Sequence, residues 1–282
     1  MNGILVINKP QGMTSHDVVA RVRRIFHTKK VGHAGTLDPL ATGVLIVLVG
    51  KATKLSDRLL CEKKRYTAGL KLGIETDTYD ITGEILSEKP AAVSEKELSE
   101  CIKAFSGKIS QVPPMYSAIK IGGQKLYELA RRGVTVDRKP REVEIYDISL
   151  CGKNKLDICC SKGTYIRSLI HDIGVSLGCG AVMTELTREA SGNFRLENSV
   201  TLEELERCGF DSCALSIDEV VDVPKITVSG ENERKIKNGN VIEFEGMNGE
   251  CKVFGADGSL LCIATGSGLK IKPDIMLYEG NL

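Results

Sequence analysis

One stretch of this chain places a carboxylate where it could react: Val31-Gly32-His33-Ala34-Gly35-Thr36-Leu37-Asp38-Pro39-Leu40-Ala41-Thr42-Gly43-Val44-Leu45. Asp38 stands in a glycine-punctuated loop just ahead of an apolar run that ends at Val49. Pro39 disfavours the α-helical region for the residue before it, so Asp38 is expected on extended backbone. Gly32, Gly35 and Gly43 allow sharp bends and the close approach of another molecule. A polar loop feeding a buried strand is a good place to display a carboxylate nucleophile, which can split one difficult bond exchange into smaller steps. The competing reading is an Asp that merely orders its own turn, the commoner fate of Asp before Pro.

The cations are distributed unevenly, although the net charge is only +1. Residues 1–30 carry Lys9, Arg21, Arg23, Arg24, Lys29 and Lys30 against Asp17 alone. A second basic segment, from Lys120 through Arg131, Arg132 and Arg138 to Arg141, has only Glu128 and Asp137 against it. Such patches suit a polyanionic partner more than the overall charge suggests, although several of these cations individually read as solvated helix faces. Residues 197–222 are acidic instead. The ten cysteines form no Cys-x-x-Cys pair and match no zinc spacing. With no signal-peptide pattern, reduced thiols in a cytoplasmic protein are expected. No apolar run reaches bilayer-spanning length.

These residues must be held by a framework with a 42% hydrophobic composition and room for one large domain plus a smaller one. Residues 4–7 read as a strand. Thr14 or Ser15 caps a following helix, in which Val18, Val19, Val22, Ile25 and Phe26 form an apolar stripe. Residues 44–49 read as a buried central strand, 64–73 as a second strand and 76–86 as a hairpin. A helix is expected over 95–105, and an irregular connection over 109–114. Residues 116–132 suggest an exposed strand, a Gly122-Gly123 turn and a short basic helix. Residues 142–150 and 155–160 read as a strand pair, and 164–177 as an amphipathic helix stopped near Gly178. Beyond Pro224, short strands at 241–244, 251–254 and 260–264 between glycine-rich turns suggest a small β-barrel.

Four blocks, in order, resemble the TruB family of tRNA pseudouridine-55 synthases. The first is Gly3-Ile4-Leu5-Val6-Ile7-Asn8-Lys9-Pro10-Gln11-Gly12-Met13-Thr14-Ser15, followed by the Asp38 loop. Lys64-Arg65-Tyr66 and Ser161-Lys162-Gly163-Thr164-Tyr165-Ile166-Arg167-Ser168-Leu169 complete the set. Asn8 stands where the family often has an acidic residue. The resemblance implies an α+β pseudouridine synthase fold with a mixed β-sheet over residues 1–200, including an RNA-binding thumb insertion at about 110–140. An acidic connector over 201–223 and a PUA-like β-barrel domain over 224–282 would follow.

The same resemblance assigns the site. Asp38 would be the nucleophile, Arg167 its ion-pair partner, and Tyr66 the ring that stacks on the target uracil and passes the C5 proton. Tyr165 and Leu186 would wall the uridine pocket, although plain core packing explains Leu186 nearly as well. His33 would fill the space left by the flipped base. Lys9, Arg21, Arg23, Arg24, Lys54 and Lys120 are candidates for phosphate contacts. The implied partner is the T-arm of tRNA, bound by a monomer with no protein partner, guide RNA, metal or cofactor. A tRNA-binding or folding factor on the same scaffold, and a guide-RNA-dependent synthase inside a larger particle, are the rival readings.

Overall fold

The computed structural model describes residues 1–278 of the 282-residue chain. In chain order it begins with β1 (Gly3–Lys9), α1 (Ser15–Ile25), β2 (Val31–Ala34), β3 (Thr42–Val49) and β4 (Lys63–Leu72). There follow β5 (Ile74–Thr76), β6 (Ile85–Glu88), α2 (Glu95–Lys103), β7 (Gly107–Gln111), β8 (Lys120–Ile121), β9 (Gln124–Lys125) and α3 (Leu126–Ala130). The second half holds β10 (Arg141–Gly152), β11 (Lys155–Ser161), α4 (Ile166–Ser176), β12 (Ala181–Ser191) and β13 (Phe194–Arg195). Three short helices come next: α5 (Leu202–Cys208), α6 (Phe210–Cys213) and α7 (Ile217–Val220). The chain ends in β14 (Lys225–Thr227), α8 (Gly230–Lys237), β15 (Ile242–Phe254) and β16 (Leu260–Met276).

A mixed sheet in the order β1-β3-β12-β4-β11-β10-β7 is the framework, with β2 added on β3 and β13 on β12. All its pairings are antiparallel except β3 with β12. The continuous apolar run after Asp38 is explained by burial on both faces of β3. Leu45 and Val47 join Leu5, Ile7, Val18, Val22 and Leu205 on one side. Val44, Ile46 and Leu48 join Ile4, Val6 and Ile217 on the other. The alternation along a strand sends successive side chains into different cores, so neither face can be polar. A third cluster, beneath α2 and α4, holds Leu37, Tyr66, Leu169, Ile170 and Leu186.

Most of the expected elements form, with two corrections and one strand that no local pattern announced. Residues 109–114 are not an irregular connection throughout, because Gly107–Gln111 is an edge strand in register with Arg141–Ile145. Residues 181–191 carry too many helix-compatible Ala, Met, Glu and Leu to announce a strand, yet β12 runs between β3 and β4 in the sheet. Beyond Pro224 there is no closed barrel among the described residues: β14, β15 and β16 form an open three-stranded sheet. Residues 279–282 of the expected C-terminal unit lie outside the described residues.

The C-terminal sheet is tied to the rest of the molecule. Ile263 and Leu277 enter the core behind β1 and β3. The Lys54 ammonium donates to Met276 O at 2.8 Å, and buried Lys252 donates to Asp218 O at 2.8 Å. All ten cysteines are unpaired. Among the described residues, no helix is long and apolar enough to cross a membrane.

Candidate active site

The loop between β2 and β3 carries Asp38 and is pinned at several points. The Ser15 hydroxyl, at the start of α1, accepts from Leu37 N at 2.8 Å and donates to Leu37 O at 3.1 Å. Gly12 N donates to Pro39 O at 2.8 Å, and Ala41 N closes a turn onto Asp38 O at 3.1 Å. Gly43 has φ 96°, and a Cβ there would lie 2.4 Å from Arg188 O, so the parallel β3–β12 contact requires glycine. From β12, the Arg188 guanidinium donates to Val44 O at 2.6 Å, Gly35 O at 3.0 Å and Thr36 O at 3.4 Å. Arg188 is 1% exposed, and its three acceptors lie on both sides of Asp38.

Asp38 Oδ2 is 2.7 Å from Arg167 Nη2. The carboxylate side chain is 40% exposed whereas the guanidinium is 5% exposed, so a reachable acid rests on a buried base. Arg167 leaves the first turn of α4 and is held on its far side. Its Nη1 donates to Thr78 O at 3.0 Å and its Nη2 to Tyr116 O at 2.8 Å. Asp80 Oδ2 lies 3.7 Å from Nη1. Asp80 is fixed by the turn around it, accepting at Oδ1 from Thr82 N at 3.0 Å, Thr82 Oγ1 at 2.5 Å and Thr78 Oγ1 at 3.0 Å. A carboxylate–guanidinium–carboxylate row results, with only the Asp38 end open.

Tyr66 and Leu186 are buried and share one apolar cluster with Leu37, the neighbour of Asp38. Burial pushes the Tyr66 phenol up, partly offset by the Arg188 charge, so it keeps its proton at neutral pH. Tyr165 immediately precedes α4. Its backbone exchanges two hydrogen bonds with the buried Gln111 amide, at 2.8 and 3.0 Å. Burial raises its phenol too, with Asp38 adding to the effect. His33 lies on β2 with its ring edge-on to His16, centroids 5.3 Å apart. Burial, then His16 and Arg188, lower its pKa and favour a neutral ring.

The expected phosphate contacts divide. Lys9 is corrected: it is fully buried, and its ammonium donates to Met13 O at 2.7 Å and Pro10 O at 2.9 Å rather than facing solvent. Burial lowers its pKa to about 8, against the pull of Asp38. Arg21 pairs with Glu206 at 2.5 Å, and Arg23 donates to Val31 O at 2.8 Å. Lys120 and Arg24 are exposed, Lys120 on the β8–β9 hairpin of the excursion between β7 and β10. Among the described residues, no group of three or more His, Cys, Asp or Glu is placed to hold a metal ion.

Residues 23–166 match the N-terminal domain of the TruB family pseudouridylate synthases, and residues 167–221 match the tRNA pseudouridylate synthase B C-terminal domain. The chain belongs to the TruB family. The tRNA pseudouridine synthase B of Alkaliphilus oremlandii is 51% identical over 248 residues, covering 86% of this chain and 83% of that protein. The enzyme of the same name from Clostridium perfringens is 48% identical over 246 residues, 85% of this chain and 84% of its own. A solved Cbf5–Nop10–Gar1 complex holds a chain of the same fold, with a TM-score of 0.70 and 26% identity over 97% of this chain and 84% of that one. A chain in an H/ACA ribonucleoprotein bound to a substrate RNA shares the fold at a TM-score of 0.70, with 24% identity over 98% of this chain and 85% of its own.

Three residues of this TruB site escaped sequence reasoning. Asp80 sits in Thr-Asp-Thr-Tyr-Asp, which reads as ordinary hairpin chemistry. Arg188 follows Glu185 and precedes Glu189, so it reads as one more surface charge. Ser15 was visible only as a helix-capping candidate, a task that Thr14 performs.

Proposed function

We propose that this protein converts the uridine at position 55 in the T-loop of tRNA to pseudouridine, as a monomer acting without guide RNA, metal or cofactor. The observation that carries the reading is the Asp38–Arg167 pair, an accessible carboxylate on a buried guanidinium, beside the apolar cluster that contains Tyr66 and Leu186. The reaction breaks the C1′–N1 bond, turns the base, joins C1′ to C5 and releases the C5 proton. Asp38 attacks the base at C6, attacks C1′, or takes a ribose proton to give a glycal. Each of these routes uses the same reachable carboxylate. Arg167 aims it through a charge-assisted hydrogen bond.

Tyr66 stacks on the uracil, and its protonated phenol relays the C5 proton at rearomatisation. Tyr165 and Leu186 confine the detached base. The uridine leaves its stack to reach them, and the neutral His33 ring takes its place. The excursion carrying Lys120 contacts the T-arm backbone, as a thumb, and the C-terminal sheet serves as the RNA-contacting tail. Recognition then depends on RNA shape and phosphate charge, in the cytoplasmic compartment where tRNA is processed.

A second reading is favoured by one observation: a solved chain of this fold works within the Cbf5–Nop10–Gar1 complex. The higher identity to proteins named tRNA pseudouridine synthase B, 51% for that of Alkaliphilus oremlandii, supports the first. The test uses purified protein and an unmodified tRNA transcript, with nothing else added. Pseudouridine should appear at the T-loop uridine, and a transcript with cytidine there should be inert. Conversion that required an added guide RNA or companion protein would favour the second reading.

A further inference from the structure

Tyr79 has φ 63°, one of only three non-glycine residues with positive φ among those described. That region is an outlier for a bulky side chain and persists only when the surroundings compensate for it. The compensation here is an aromatic stack. The Tyr79 ring lies over His171 with centroids 4.0 Å apart and planes at 28°. His171 Nδ1 is 3.3 Å from Asp172 Oδ1, and the side chain is only 24% exposed.

This stack sits one helical turn from the candidate active site. Arg167 and His171 are four residues apart on α4 and therefore face the same way. Both reach the loop between β5 and β6, Arg167 at Thr78 O and Asp80, and His171 at Tyr79. The carbonyl that receives Arg167 Nη1 at 3.0 Å belongs to the peptide joining Thr78 to Tyr79. The φ of Tyr79 is the rotation next to that peptide plane, so it governs the placement of the Thr78 carbonyl relative to Asp80. On the far side, Tyr79 O accepts from Met183 N at 3.1 Å, which anchors the strained residue to β12.

We propose that Tyr79 and His171 are positioning residues for pseudouridine formation: their stack holds the strained turn that fixes Arg167, and through it Asp38. The proposal rests on the reading of Asp38 and Arg167 as the reaction centre. Neither ring is assigned a contact with the uridine. Their effect is on the aim of the carboxylate, so it appears in the chemical step and not in tRNA affinity.

The test is the single-turnover rate, tRNA Kd and Tm of Tyr79→Gly, Tyr79→Phe, His171→Ala and the Tyr79→Gly/His171→Ala double variant. Tyr79→Gly relieves the backbone strain while removing the stack, so folding is retained. Its rate should fall about tenfold, the factor that one aromatic pair supplies, at unchanged Kd. His171→Ala should fall similarly, the double variant no further than either single one, and Tyr79→Phe should restore the rate. Wild-type rates in Tyr79→Gly and His171→Ala would overturn the proposal, as would losses that multiply in the double variant or that vanish once the folded fraction is corrected for. Asp38→Asn run alongside separates the two claims: turnover surviving in that variant sinks the reaction-centre reading itself, whatever the stack does.

Discussion

Arg188 stands opposite Tyr66 across the β4–β12 pair and aligns with Gly43 on the parallel strand β3. From the strand paired with that of Tyr66, one buried guanidinium therefore reaches both sides of the Asp38 loop. Arg188→Met would leave the carbonyls of Gly35, Thr36 and Val44 without this donor, and each buried orphan costs about 1–3 kcal/mol. Urea unfolding should show a destabilisation of several kcal/mol, roughly the sum of the losses at the two closer carbonyls, Val44 O and Gly35 O. An unchanged unfolding midpoint would mean that the loop does not depend on Arg188.

Asp80 offers a subtler test because its role runs through Arg167. Asp80→Asn keeps an oxygen for Thr78 and Thr82 but removes the charge 3.7 Å from Arg167 Nη1. The turn should stay folded while turnover falls about tenfold to a hundredfold, with tRNA affinity preserved. A wild-type kcat would show that Arg167 needs only its carbonyl acceptors.

The His33 ring is expected to act on the RNA rather than on the reaction. His33→Ala should weaken the flipped complex by about tenfold, in line with the loss of one base–aromatic stack, and leave measurable turnover. Complete inactivity would assign His33 a chemical role.

Lys9 gives the molecule a pH signature. Its folded pKa of about 8 lies below the ordinary 10.5, so between those values the unfolded chain binds more protons than the folded one. Stability from this residue therefore rises as pH increases through that window, with a slope approaching about 1.4 kcal/mol per pH unit. Below pH 8 the lysine is protonated in both states and its burial cost is fully present. Lys9→Met should remove that slope, measured as the difference between the two proteins' denaturation profiles from pH 7 to 10.5. Parallel profiles would contradict the assignment.

The parts of the fold visible in the sequence were those with a period or a cap. The β3 run, the α1 stripe and the Gly122-Gly123 turn declare themselves through local chemistry. The strand β12 does not, because its register is set by β3 and β4 on either side, far away in sequence. The candidate site divides in the same way. Asp38, Tyr66 and Arg167 lie in motifs, and Arg167 does meet Asp38. Asp80 and Arg188 owe their places to contacts 87 and 144 residues away, which no local pattern carries. Lys9 was misplaced because a lysine in a basic segment looks exposed until its carbonyl partners at Pro10 and Met13 are seen.

The most direct test of the central claim is tritium release from tRNA labelled as [5-³H]uridine, comparing the native protein with Asp38→Asn. The account predicts release by the native protein, and none by the variant, which should still bind tRNA because it loses a reactive group and not a long-range charge. Release by Asp38→Asn at the native rate would contradict it, as would collapse of tRNA binding in step with turnover.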